Sequence, residues 1–110
     1  MKQILIRHFC CAVLLLCCSL SVFAEPQWID VRSSIEYTID HIDGDLRISH
    51  DEIVEEVQRR FPDKDTEIRL YCRSGGRAEM ALNALEKAGY AHVSNAGGID
   101  DARAERGLNP

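Results

Sequence analysis

Strand-like and helix-like segments alternate along residues 25–110, which predicts an α/β fold with a central parallel sheet flanked by helices on both faces. Two observations set that expectation. Short apolar runs suited to buried strands recur at Trp28–Val31, Leu46–Ile48, Glu67–Cys72 and His92–Ser94. Between them, apolar residues return at intervals of three and four, the period of a helix face. The stretch is long enough for one small domain with its own core.

Taken in order, Trp28–Val31 reads as the first strand, and Ser33 or Ser34 can cap a short helix through Ile35, Tyr37 and Ile39. His41–Asp45 reads as a turn before a second short strand, Leu46–Ile48. Ser49 with Glu52 three residues on forms a capping-box pattern, and Ile53, Val54, Val57 and Phe61 then follow at helical spacing until Pro62 stops the helix. Asp63–Asp65 is a polar turn, and Glu67–Cys72 alternates polar and apolar before its end, as a strand does. From Arg77 the period changes: Ala78, Ala81, Leu82, Leu85 and Ala88 share one helical face, and Gly89 stands where a left-handed cap is expected. His92–Ser94 predicts a last short strand, Asn95–Gly98 a turn, and the remainder a charged tail of weaker pattern.

Residues 1–24 have another character. Lys2 and Arg7 precede an apolar run from Phe9 to Leu20, and Val22 and Ala24 are small residues at the two positions that determine cleavage. That is the pattern of a secretory signal peptide, removed after Ala24 to leave a periplasmic protein. The run is shorter than the roughly 20 apolar residues of a membrane-spanning helix, so no stable membrane anchor is expected. A lipid-modified Cys17 or Cys18 fits less well, because Leu16 and Cys17 precede them where Gly, Ala or Ser is needed. Removal would take away four of the five cysteines, leaving Cys72 without a disulfide partner. It would also leave 11 basic residues against 18 acidic ones, a net charge of −7 with histidines neutral. That balance argues against a nucleic-acid partner.

A lone thiol in an exported protein is an oxidation liability, so a chemical role is the better explanation of Cys72. It closes a strand, and Cys72-Arg-Ser-Gly-Gly-Arg77 leads into a helix. Ser74, Gly75 and Gly76 let the backbone curl until several N–H groups converge on one point, making a cup for an anion. The helix N-terminus and the charges of Arg73 and Arg77 add to it. A cysteine there is favoured as thiolate, with pKa values of roughly 3.5–7.5 for comparable thiols against about 8.5 when free. Such a cup can also hold a second sulfur bound to Cys72 as a persulfide. The phosphatase loop C-x5-R needs arginine six residues after the cysteine, where this chain has Ala78, so a tetrahedral phosphate fits less well.

Three stretches resemble the rhodanese family of sulfurtransferases: Ile29-Asp-Val-Arg32, His41-Ile-Asp-Gly44 and Tyr71-Cys-Arg-Ser-Gly-Gly-Arg77, with Gly89-Tyr90 and Asn95–Gly98 fitting the closing segment. The resemblance implies a single small rhodanese-like domain over 25–110. It further implies that Cys72 takes sulfane sulfur from thiosulfate and passes it to a thiophilic acceptor such as cyanide. Arg73, Ser74, Gly75, Gly76 and Arg77 would bind the anionic donor. No cofactor and no metal are expected. The chain departs from the family pattern in lacking a glycine before His41, in having Asp45 where alanine is usual, and in lacking tryptophans after Gly98, which leaves the pocket wall more open. A non-catalytic sulfur-carrier or partner-binding module is the alternative.

Other polar residues read more simply. Asp30 and Arg32 tie the end of a strand to a neighbouring loop, and His41 is structural, because a thiolate stabilised by amides needs no base. His50 and His92 have no motif around them. Asp51, Glu52, Glu55 and Glu56 form the solvated side of a helix.

Overall fold

The computed structural model describes residues 25–110, so the expected signal peptide, residues 1–24, lies outside the described residues. The elements are β1 (Gln27–Asp30), α1 (Ser34–Ile39), β2 (Leu46–Arg47), α2 (Ile53–Arg60), β3 (Ile68–Cys72), α3 (Gly76–Lys87), β4 (Val93–Gly98) and α4 (Ile99–Arg106). The four strands make one parallel sheet in the order β2-β1-β3-β4.

The two-residue period of the strands sorts their side chains onto two faces. Ile29 of β1 and Ile68, Leu70 and Cys72 of β3 point to the larger core, where Ile53 and Val57 of α2 and Ala78, Ala81 and Leu85 of α3 meet them. Trp28 and Tyr71 point the other way, against Ile42 and against Ile99 and Ala102 of α4. Helices therefore cover both faces, as the alternation of elements predicts. No described helix is long and apolar enough to cross a membrane.

Local signals explain most boundaries. Ser33 and Glu36 form a reciprocal capping box at the start of α1. Gly89, at φ +99°, takes the left-handed conformation after α3, and the Tyr90 amide closes back onto the Leu85 carbonyl at 3.0 Å.

Three expectations change. The Ser49–Glu52 capping box does not form: the Ser49 hydroxyl donates to Asp51 at 2.6 Å, and α2 starts at Ile53 without a side-chain cap. The nearer carboxylate captures the hydroxyl. Asn95–Gly98 is not a turn but the second half of β4, carrying a bulge, since Leu70 faces Asn95 while Tyr71 faces Gly97. The charged tail is a helix, α4, whose buried face consists of Ile99, Ala102 and Arg103. Arg103 forks onto the Asp40 carboxylate at 2.7 and 2.9 Å, so an ion pair takes the place of an apolar residue and masks the helical period.

Candidate active site

Cys72 ends β3 and the next three residues lead into α3, so the loop lies at the carboxyl end of the parallel strands, where α/β sheets bind ligands. Gly75, the residue before the helix, has φ +104°, a conformation that L side chains rarely adopt. That turn brings its amide 3.0 Å from the Cys72 sulfur. Gly76 needs no such conformation, and a Cβ there would meet nothing within 4 Å.

The sulfur stands between two environments. Cys72 is 1 % exposed and belongs to the larger apolar core. Burial pushes its pKa up, but hydrogen bonds from the amides of Ala78, Ser74, Gly75 and Arg77 outweigh that, and the thiol is held below its ordinary value. The shortest of these contacts is that of the Gly75 amide.

The charged residues of the loop part company. The half-buried Arg77 guanidinium pairs with Glu36, with its two terminal nitrogens 2.5 and 2.9 Å from the two carboxylate oxygens. The fork commits two of the five N–H donors of Arg77 and ties the residue to α1. Arg73 is exposed and forms no ion pair among the described residues. It borders a cavity of about 470 Å³ that also involves Arg32, Glu36, Ile39, Ile99 and Asp100. Ser74 and Gly76 are exposed beside it. A slightly larger depression, about 490 Å³, lies at the amino ends of β3 and β4 between Asp65, Glu67 and His92, far along the strands from Cys72 and poorly suited to an anion.

Residues from the end of β4 brace the loop, a role the sequence did not reveal. The Asn95 amide nitrogen donates to the Gly75 carbonyl and to Glu79, both at 3.0 Å, while its oxygen accepts from the Gly97 amide at 2.8 Å. A Cβ on Gly98 would stand 2.4 Å from the Arg73 carbonyl oxygen. The Gly97-Gly98 pair was the available signal, since paired glycines mark close backbone approach.

Asp30 and Arg32 hold each other at the end of β1: Arg32 bonds both carboxylate oxygens and extends to the Asp40 carbonyl at 2.7 Å. His41 stacks on Tyr37 with 4.2 Å between ring centroids, and one ring nitrogen lies 3.0 Å from the Tyr37 carbonyl oxygen. His92 is exposed and His50 half-buried. No group of metal-ligating side chains occurs among the described residues.

Residues 21–105 match the family model described as a rhodanese-like domain. The chain belongs to the rhodanese family. Among its relatives, the thiosulfate sulfurtransferase PspE of Escherichia coli K12 is 40% identical over 83 residues, covering 76% of this chain and 80% of its own length. The putative sulfur carrier protein YrkF of Bacillus subtilis is 36% identical over 67 residues, which span 61% of this chain and 35% of that protein. A solved structure described as a rhodanese with anions from E. coli superposes with a TM-score of 0.66 at 36% identity, over 70% of this chain and 91% of its own. Membership in this family of sulfurtransferases implies, in general terms, a sulfur donor and a sulfur acceptor.

Proposed function

We propose that this rhodanese is a periplasmic thiosulfate sulfurtransferase that works through a persulfide on Cys72, after loss of residues 1–24. One observation carries the reading: the Gly75 amide lies 3.0 Å from the Cys72 sulfur just before a helix, where the amides of Ser74, Arg77 and Ala78 also favour the thiolate. The thiolate attacks the outer sulfur of thiosulfate. The S–S bond of the donor breaks, and its electron pair leaves with sulfite. Cys72 then carries the transferred sulfur, whose negative charge the loop amides are placed to accept. Cyanide attacks that outer sulfur, thiocyanate departs, and the cysteine thiolate returns.

Arg73, which forms no ion pair among the described residues, and the N–H donors of Arg77 that Glu36 leaves free are the loop's cationic groups for the sulfonate of the donor. Ser74, Gly75 and Gly76 supply the curvature and exposed backbone of the mouth. The likeness to PspE supports thiosulfate as donor, and the apolar run at residues 9–20 supports export.

Purified protein given thiosulfate and cyanide is expected to form thiocyanate, and Cys72→Ser to form none. Thiocyanate production by Cys72→Ser at the normal rate would end the reading. A sulfur-carrier role is the second possibility, favoured by the near-complete burial of Cys72 and the likeness to YrkF. Intact mass separates the two. Catalysis predicts a gain of about 32 mass units with thiosulfate that cyanide removes, whereas carriage predicts an adduct that persists.

A further inference from the structure

We propose that Glu36 is a positioning residue for the Cys72 thiolate, acting through the side chain of Arg77 to hold the first turn of α3 against the sulfur. The inference rests on the thiolate chemistry proposed above and adds to it a residue on a different element, 41 positions away from Arg77 in the chain.

Glu36 lies on α1, a helix of six residues that buries none of them. Ile35 and Ile39 on the same helix are 72 % and 80 % exposed, so apolar packing does not explain where α1 sits. Polar contacts do. One carboxylate oxygen of Glu36 takes hydrogen bonds from the Ser33 amide, the Ser33 hydroxyl and Arg77, and the other takes the second Arg77 nitrogen. A two-point fork of this kind fixes direction as well as distance. The residue it fixes stands in the first turn of α3, two positions after Gly75, whose amide lies 3.0 Å from the sulfur, and the amides of Arg77 and Ala78 help to lower the thiol's pKa.

The remaining charges around the pair are already committed or stand apart. Arg32 is bound to Asp30, and Asp40 to Arg103. Asp100 lies 3.6 Å from Arg103, and Arg73 borders the same cavity. The fork therefore has a second consequence: it fixes where the Arg77 charge sits, whereas Arg73 is held by no ion pair among the described residues.

Three variants test this by the rate at which iodoacetamide alkylates Cys72 across the thiol's titration. Glu36→Asp keeps the negative charge but is one methylene too short to reach both guanidinium nitrogens. Arg77→Lys keeps the positive charge but replaces the fork by a single contact. Each is expected to slow alkylation on the acid side of the titration by about three- to tenfold, since a shift of one pKa unit changes the thiolate fraction about tenfold there. Thr38→Ala removes a hydroxyl on the same helix that donates to the Ser34 carbonyl at 2.8 Å and bonds neither member of the fork, so its rate should stay within about twofold of the unaltered protein. Circular dichroism of each variant verifies the fold, and Arg77→Lys carries the test if Glu36→Asp does not fold. Alkylation at the unaltered rate in Glu36→Asp or Arg77→Lys, or a slowing by Thr38→Ala equal to theirs, would overturn the role of Glu36. Fast alkylation with no thiocyanate in the unaltered protein would instead refute sulfur transfer and leave the role of Glu36 standing.

Discussion

At Gly98, an added Cβ would stand 2.4 Å from the Arg73 carbonyl oxygen and 3.1 Å from its carbon. Both atoms are backbone, so no flexible side chain can yield, and either β4 or the loop must move. Overpacking of this kind destabilises by about 1–3 kcal/mol. Gly98→Ala should therefore lower the denaturant midpoint of unfolding and, because the displaced peptide directly follows Cys72, also slow alkylation of the thiol. A variant less stable but with unchanged alkylation would show that the loop does not lean on β4. Gly75 is constrained differently: its φ of +104° is what sends its amide back toward the sulfur. Cys72 itself is decided by a contest between burial and four amides, which the amides win.

The short helix α1 is held by charge, and that makes its docking sensitive to acid. The Arg77 fork holds the Glu36 carboxyl at about 2, against an ordinary value of 4.5. A depressed carboxylate pKa stabilises the fold above the unfolded value and loses that contribution as pH falls through the folded one. The contribution of Glu36 is thus complete above about 4.5 and vanishes toward 2. Melting temperatures measured over that window should fall more steeply for the unaltered protein than for Glu36→Gln, and the two curves should converge at the acid end. Parallel curves would mean that the fork adds nothing to stability. At the far edge of the sheet, the Asn95 side chain at the β4 bulge ties the strand to the Gly75 carbonyl and to Glu79 of α3. The end of β4 therefore acts as a brace for the cup.

One sheet with a core on each face lets stability and chemistry be separated. Leu85 is fully buried in the larger core, on the third turn of α3 and away from the first turn that meets the sulfur. Leu85→Ala should destabilise by about 2–5 kcal/mol, as cavities of this kind do. It should leave the alkylation profile of Cys72 in the folded protein unchanged. Urea unfolding combined with alkylation checks both halves, and a shifted profile would show that the cup depends on packing throughout the helix. The opposite pattern is expected for Glu36→Asp, where the charge network and not the core is altered.

The amino-acid order by itself determined the parallel α/β arrangement, the position of Cys72 at a strand end and the curled loop after it. These depend on neighbours close in the chain: the change of apolar period at Cys72, the glycine at 75 and the cap at Gly89. Where a signal of that local kind was ambiguous it misled, as at Ser49, whose hydroxyl prefers Asp51, and in α4, where the buried Arg103 hides the helical face. Tertiary structure alone decided that Arg77 pairs with Glu36, on a helix distant in the chain. It also decided the bracing by Asn95 and Gly98. Such contacts form between segments that only the folded sheet brings together, and no periodicity along the chain records them.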